Sequence, residues 1–459
     1  MSEAIVTGHW NIPWLRDLPA NWQVVSSKRL FAARKELARP DDQQLAATQA
    51  YGVISQKEFE RRVGRRVVQI TQNLEKRRRV EKNDFVISMR SFEGGLERAW
   101  ETGCIRSSYV VLKPSVEVDV GFFQYLFKSH DYIQALRATS NFIRDGQDLN
   151  ISNFSLVDLP LPPLDVQGQI ARFLDWHGAQ TAKLIRAKKK IIALLNEQKQ
   201  AIIHHVVTCG LDPNVKLKPS GIPWLGDVPA GWEVKKLKYL VRFNNGLAFK
   251  PSDWSVSGTP IIRIQNLNGS DVFNYTTKND LPEDMLIAKG DIVFSWSGNI
   301  GTSFGPFIWE RDFVGYLNQH IFKLEKVTSH RRYFYYVLKA VTKHVEENAH
   351  GIIGLVHITK PELGSISVPL APFDEQVEIA TWLDEHLSGI NAIIERARRE
   401  ISLIQEFRTR LTADVVTGKL DVRTFAASLP EVIAAEPIDA VAEEDDILES
   451  EPDAEDEAA

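Results

Sequence analysis

The segment Ile12-Pro13-Trp14-Leu15-Arg16-Asp17-Leu18-Pro19-Ala20-Asn21-Trp22-Gln23-Val24 returns as Ile222-Pro223-Trp224-Leu225-Gly226-Asp227-Val228-Pro229-Ala230-Gly231-Trp232-Glu233-Val234. Nine of the thirteen positions are identical at an offset of 210 residues, where unrelated segments share about one. Pro163-Leu164-Asp165-Val166-Gln167, with Ile170-Ala171 and Leu174-Asp175, returns at an offset of 209 as Pro372-Phe373-Asp374-Glu375-Gln376, with Ile379-Ala380 and Leu383-Asp384. One module is written twice. Whatever the chain does, it does at two related places.

Each copy divides into three parts. The proline-rich opening motif leads into a strand at Trp22–Val25 or Trp232–Lys235. A body of roughly 130 residues follows, on its strand and turn signals. A long amphipathic helix closes the copy. In the first helix Ile170, His177, Leu184, Ile191, Gln198 and His205 form one seven-residue series, against Leu174, Thr181, Lys188, Leu195 and Ile202. The second repeats it with Ile379, His386, Ile393, Glu400 and Phe407 against Leu383, Ile390, Ala397, Ile404 and Leu411. Stripes of this length predict a coiled-coil seam, in which Gln198 and Glu400 would fix the register. Asp165 and Asp374 are expected N-caps, and Gly210 and Gly418 follow the helix ends. About forty residues at about 1.5 Å each predicts a rod on the order of 60 Å. Antiparallel pairing of the two helices would place the bodies at opposite ends, related by a pseudo-two-fold axis. The expected fold class is α+β: two α/β bodies, at 1–162 and 211–371, joined by antiparallel coiled-coil helices at 163–210 and 372–421.

Residues 431–459 hold thirteen Asp or Glu and no Lys or Arg. An aromatic-free acidic stretch cannot bury enough apolar surface to fold, so 422–459 is expected to be a disordered tail. It also conceals the charge of the rest. The whole chain carries -5, but without that stretch 55 basic residues face 47 acidic ones, about +8. A mildly basic body is compatible with nucleic acid without requiring it. The tail could shield that body before assembly, contact a partner, or serve only solubility. Cys104 and Cys209 are the two cysteines and lie far apart, which argues against a disulfide scaffold or zinc site and suits a reducing cytoplasm. No apolar run of eighteen residues and no basic-then-apolar leader pattern is present, so a cytoplasmic chain outside the membrane is expected.

Catalytic patterns are absent from the sequence: no phosphate loop, dinucleotide fingerprint, HExxH or GxSxG. An enzyme with its own active site, metal or cofactor is therefore not expected. Signals for nucleic acid are denser. The first body carries Arg61-Arg62, Arg65-Arg66 and Lys76-Arg77-Arg78-Arg79 within twenty residues, a candidate phosphate-binding field. After matched strands come Arg90 and Ser91 in one copy and Trp296, Ser297 and Asn299 in the other. Arg263, Gln265, Asn266 and Asn268, then Gln319 and His320, offer further side chains for base edges in the second body, as do Arg144 and Gln147 in the first. Asn and Gln can address adenine, and Arg guanine, through two hydrogen bonds each. Solvated charge runs and ordinary turn residues are the plainer alternatives. Trp14, Trp22, Trp224 and Trp232 read as packing anchors.

Taken together, residues 8–423 resemble the specificity (S, or HsdS) subunits of Type I restriction–modification systems. The resemblance is carried by "IPWLGDVPAGWEV", "GDIVFSWSGNIG", "NQHIF", "HGIIGLVHITKPELGSISVPLAPFDEQVEIATWLD" and "VVTGKLDV". The first copy departs in having Val166-Gln167 where the family usually shows Glu-Gln. The resemblance implies that each body is a target-recognition domain reading one half of a bipartite, asymmetric sequence in double-stranded DNA. It implies that the helices act as a ruler and dock two methyltransferase (M) subunits, which two restriction (R) subunits join. S-adenosylmethionine, ATP and Mg would belong to those partners, and this chain would be a non-catalytic subunit. Two alternatives stay open on sequence: a specificity subunit of a methylase-only or other defence complex, and a duplicated coiled-coil adaptor that binds proteins alone.

Overall fold

Short apolar runs closed by turns become strands in both bodies, and they assemble in the same order. The computed structural model describes residues 13–15, 17–64, 66, 74–88, 91–139, 151–278, 280–348 and 355–430. The chain divides into one unit of residues 1–189 with 398–459 and another of residues 190–397. Each unit thus holds one body, the start of one long helix and the end of the other.

In the first unit an antiparallel sheet places Phe31–Ala33, Val110–Pro114, Phe85–Ile87 and Glu97–Arg98 side by side. The second unit builds the same sheet from Arg242–Asn245, Ile321–Glu325, Ile292–Ser295 and Gly305–Ile308. In both, the strands stand in the chain order first, fourth, second, third. A separate pair closes each body: Gln23–Ser26 lies antiparallel to Asp158–Leu161, and Glu233–Lys236 to Ser367–Leu370. The strand that ends the opening motif therefore meets the last strand of the body, just before the long helix begins.

Aromatic side chains fill the space behind each sheet. Phe31, Phe85, Phe123 and Phe127 pack with ring centroids 5.1–5.8 Å apart, a spacing that favours edge-to-face contact. The aromatic-rich stretch behind the first sheet forms two helices, Val120–Phe127 and His130–Ala138. Ser129 divides them, its hydroxyl accepting from the Tyr132 amide as an N-cap. Its counterpart Arg331–Glu347 is continuous. The tryptophans of the opening motifs are anchors, as expected: Trp22 packs edge-on against Phe122, and Trp232 is 2% exposed with its indole N–H on Glu375 at 2.8 Å.

The long helices run Leu164–Cys209 and Phe373–Val416. Asp165 and Asp374 therefore lie inside the first turn, not at the N-cap as expected; there they still complement the helix dipole. One turn in, the repeated glutamine has a definite task. Gln167 accepts from the Asp119 amide at 2.8 Å and donates to the Pro162 carbonyl at 2.9 Å. Gln376 accepts from the His330 amide at 2.7 Å and donates to the Ala371 carbonyl at 2.7 Å. In each copy one side chain staples the strand–helix corner to the N-terminus of the aromatic helix.

Within the first unit, Ile170 and Leu174 share a core with Leu411, Val415 and Val416. Within the second, Ile203, Val206 and Val207 share one with Ile379, Ala380 and Leu383. In each unit the start of one helix thus packs on the end of the other. Half of the expected heptad frame is displaced by one residue. Leu184, Ile191, Ile393 and Phe407 are exposed, whereas Ile185, Ile394 and Ile401 are buried. Where two apolar residues are adjacent, as in Leu184-Ile185 or Ile393-Ile394, periodicity cannot say which faces inward, and packing selects the second. Glu400, displaced from the seam, pairs with Lys188 at 2.5 Å in the first unit. Among the described residues no helix is long and apolar enough to cross a membrane.

Candidate nucleic-acid interface

In the second body, strand register gathers the candidate loops at one edge. Thr259–Ile262 runs parallel to Gly315–Leu317, so both strands leave the sheet at the same end, tied by the Asn318 amide on the Ile262 carbonyl at 3.0 Å. Ser295 stands opposite Ile321 in the four-stranded sheet, which brings the Trp296 amide onto the His320 carbonyl at 3.2 Å. A fourth segment joins them: Gly246 and Leu247 donate to Ile321 and Leu317 at 2.9 and 2.8 Å. Gly246 is required there, since a Cβ would lie 2.1 Å from the Asn318 carbonyl oxygen. The segments starting at 246, 263, 296 and 318 therefore converge, although up to about seventy residues separate them in the chain.

The side chains at this edge differ in what they can still do. Gln319, Gln265 and Asn268 are exposed. Trp296 is clamped, its N–H on the Gln319 carbonyl at 3.0 Å and its ring 4.8 Å from His357, 5.0 Å from His320 and 5.8 Å from Phe322. It serves as a platform under Gln319 and His320. Arg263 donates to Asn274 at 3.1 Å and lies over the Trp254 ring at 5.6 Å. Trp254 is 40% exposed and is a functional candidate that the base-edge pattern of the sequence does not mark. Its signal was an aromatic in a polar loop. Ser297 and Asn299 belong to a short strand paired with Leu355–His357. Asn266 is a correction: it is 3% exposed, and its amide group is spent on Arg263 N and the carbonyls of Ser270 and Val272. It holds the loop's shape and has nothing left for a base.

The first body corrects the phosphate-field expectation more sharply. Arg77 and Arg79 are 6% and 8% exposed. Arg79 pairs with Asp42 at 2.5 Å, beside Glu36 and Glu81. Nearby, Arg34 reaches Asp84 at 2.7 Å, Glu36 at 2.9 Å and Glu81 at 3.0 Å. These guanidinium groups are internal struts in a carboxylate cage. Arg78 is half-buried in the strand Arg78–Val80. Arg61 and Arg62 share the Glu58 carboxylate at 2.7 and 2.8 Å, which holds it down at about 2; Arg62 also covers the Tyr51 ring at 5.0 Å. Arg66 is exposed. Ser91 is fully buried, its hydroxyl accepting from the Ser88 amide at 3.0 Å, so it is a turn former and cannot meet a base as placed. Arg65, Arg90, Arg144 and Gln147 lie outside the described residues.

Behind the sheets the two copies treat one lysine differently. Lys128 pairs with Glu97, a carboxylate that burial pushes up to about 7 against the pull of that ammonium. Lys339, at the matching place, instead lies over the rings of Phe307 and Tyr335 at 5.5 and 5.4 Å. Burial brings its amine down to about 8. The frame is shared while the chemistry next to it diverges.

The repeated sheet order, the repeated long helix and the converging loops of the second body define a duplicated α+β scaffold. The family model for the type I restriction modification DNA specificity domain matches residues 19–194 and again 229–403, and the chain belongs to this family. A specificity subunit of the MjaVIII type I restriction enzyme from Methanocaldococcus jannaschii is 30% identical over 288 residues, spanning 59% of this chain and 64% of that relative. The EcoKI specificity subunit of Escherichia coli is 24% identical over 360 residues, 71% of each chain. Among solved structures, a chain from a study of complex assembly in the type I R-M system matches 88% of this chain and 100% of its own length, with 14% identity and a TM-score of 0.54. At that identity the likeness bears on the fold. The matched family segments begin 210 residues apart and end 209 apart, the period of the internal repeat.

Proposed function

We propose that the chain is the DNA sequence-specificity subunit of a Type I restriction–modification complex, each body reading one half of a bipartite, asymmetric target. The observation that carries this reading is the convergence of the segments that begin at Arg263, Trp296 and Asn318, where strands of the two four-stranded sheets of the second body end; the sheet holding Ser295 and Ile321 has its strand order repeated in the first body. Exposed amides on a rigid edge suit the donor–acceptor pattern of base edges in the major groove. The long helices form a coiled-coil spacer between the readers and dock two methyltransferase subunits, to which two restriction subunits add. S-adenosylmethionine, ATP and Mg act in those partners, on adenine N6 and in DNA translocation and cleavage. Two readers carried by one chain are expected to address half-sites roughly one helical turn apart, on the order of 34 Å.

The test is an adenine-methylation map of a host expressing this chain with methyltransferase partners. A single bipartite motif is expected. Replacing residues 26–160 with another body of the family should change one half-site and leave the other intact. No motif, or a change in both halves, would overturn the reading.

A further inference from the structure

We propose that Arg106, in the turn Arg106-Ser107-Ser108-Tyr109, is a specificity-determining residue that reads a guanine in the half-site of the first body. This rests on the proposed function and supplies what the correction of Arg77 and Arg79 removed.

The argument comes from matching the two bodies by register. Ile87 stands opposite Val110 in the first sheet, as Phe294 stands opposite Phe322 in the second. Counting back from these pairs, Tyr109 corresponds to Ile321 and Arg106 to Asn318. The turns share their closing bond: the Tyr109 amide donates to the Arg106 carbonyl at 3.2 Å, and the Ile321 amide to the Asn318 carbonyl at 3.2 Å. The strands that feed them also agree. Gly103–Ile105 pairs antiparallel with Arg78–Val80 and meets Gln44 in parallel. Gly315–Leu317 pairs antiparallel with Leu286–Ile287 and meets Ile261 in parallel. Ile105 and Leu317, the last residue before each turn, are buried at 1% and 0%. Arg106-Ser107-Ser108 therefore occupies the place that Asn318-Gln319-His320 takes among the converging loops.

What this turn presents is suited to a base edge. Ser107 and Ser108 are exposed and small enough for close approach, and Arg106 is half-exposed. Among the described residues no carboxylate is paired with Arg106, in contrast to Arg34, Arg61 and Arg79. An unspent guanidinium on a rigid turn is the side chain that forks onto guanine O6 and N7. A phosphate contact can use the same fork, so the two are told apart by whether the loss depends on base sequence and by the salt dependence.

The experiment uses the full chain co-expressed with its methyltransferase partners and reads methylation motifs at base resolution. Arg106→Gln and Arg106→Lys should each relax or change one base of one half-site, with methylation of the native target falling roughly ten- to hundredfold. The other half-site should stay as it was, and Gln319→Ala should alter only that other half. The proposal is overturned if Arg106→Lys keeps the native motif and rate. It is also overturned if Arg106→Gln weakens all sequences alike with a shallower salt dependence, since that outcome marks a phosphate contact. Thermal unfolding of each variant should match the parent, and a variant that unfolds earlier assigns Arg106 a structural role instead. If the unmodified complex methylates no bipartite motif, the proposed function fails first, and the outcomes are thereby distinguished.

Discussion

The hydroxyl of Tyr125 donates to Asp175 at 2.7 Å, and 211 residues on Tyr336 does the same to Asp384 at 2.5 Å. Each bond fastens the aromatic helix of a body to the long helix that follows, a second latch beyond the Gln167 and Gln376 staples. Both partners in the first copy lie largely out of water, and burial raises the tyrosine and the aspartate alike. Tyr125→Phe leaves that carboxylate short of a donor, so unfolding free energy should drop by about 1–3 kcal/mol. A denaturant titration with Asp175→Asn as the second corner of a double-mutant cycle measures it. A coupling energy near zero would mean that the bond does not hold the corner.

Glu97 makes stability depend on pH. Its folded value of about 7 lies above the ordinary 4.5, because burial disfavours the charge more than Lys128 restores it. The folded state then holds a proton that the unfolded state has released, so this contribution is full at low pH and is lost as pH rises through about 7. Between about pH 5 and 7.5 the unfolding free energy should fall by on the order of 1–3 kcal/mol relative to Glu97→Gln. A flat difference between the two proteins across that window would refute it.

The carboxylate cage makes a prediction opposite to that of a phosphate field. Arg34→Met strands the Asp84 carboxyl, whose side chain is 2% exposed, and should destabilise the chain by about 3 kcal/mol or more. Arg79→Ala should act in the same direction through Asp42. Neither should flatten the dependence of DNA affinity on salt. Arg66→Ala, at an exposed position, should shift stability by less than about 0.5 kcal/mol. Chemical denaturation and salt titrations of binding separate the two effects.

The spacer role of the helices has its own test. Deleting seven residues in register from each helix removes about 10 Å of rise, or about three base pairs. The methylation motif should keep both half-sites and lose that much of the unspecified gap. New half-sites with the old gap would contradict the role.

The sequence made the duplication, the long helices and the anchoring tryptophans legible because each leaves a periodic or repeated trace. Register within the helices was only half legible, since Leu184-Ile185 and Ile191-Ile192 satisfy either frame. The arginine runs misled for a different reason. Charge is visible along the chain, but the partners that spend it, such as Asp42 for Arg79 and Asp84 for Arg34, lie 37 and 50 residues away. Asn266 looked like a base reader because asparagine does the same hydrogen-bonding inside a loop as outside it. Arg106 was passed over because a lone arginine before two serines forms no run. Register with the second body brings it forward.

The units do not follow the order of synthesis. Residues 190–397 form one continuous stretch, and its core can close as soon as that stretch has emerged. The unit containing the N-terminal body borrows Leu411, Val415, Val416, Val422 and Ala426 for its core; the last two correct the expectation that the tail starts at 422, since Arg423–Ala427 is helical, while 431–459 lies outside the described residues. The core of that unit cannot close until residues 411–426 have left the ribosome, and part of its apolar surface stays exposed meanwhile. The half of the protein made first is thus the half finished last, and a chain truncated before residue 411 would release an N-terminal reader lacking those core residues while leaving its neighbour whole.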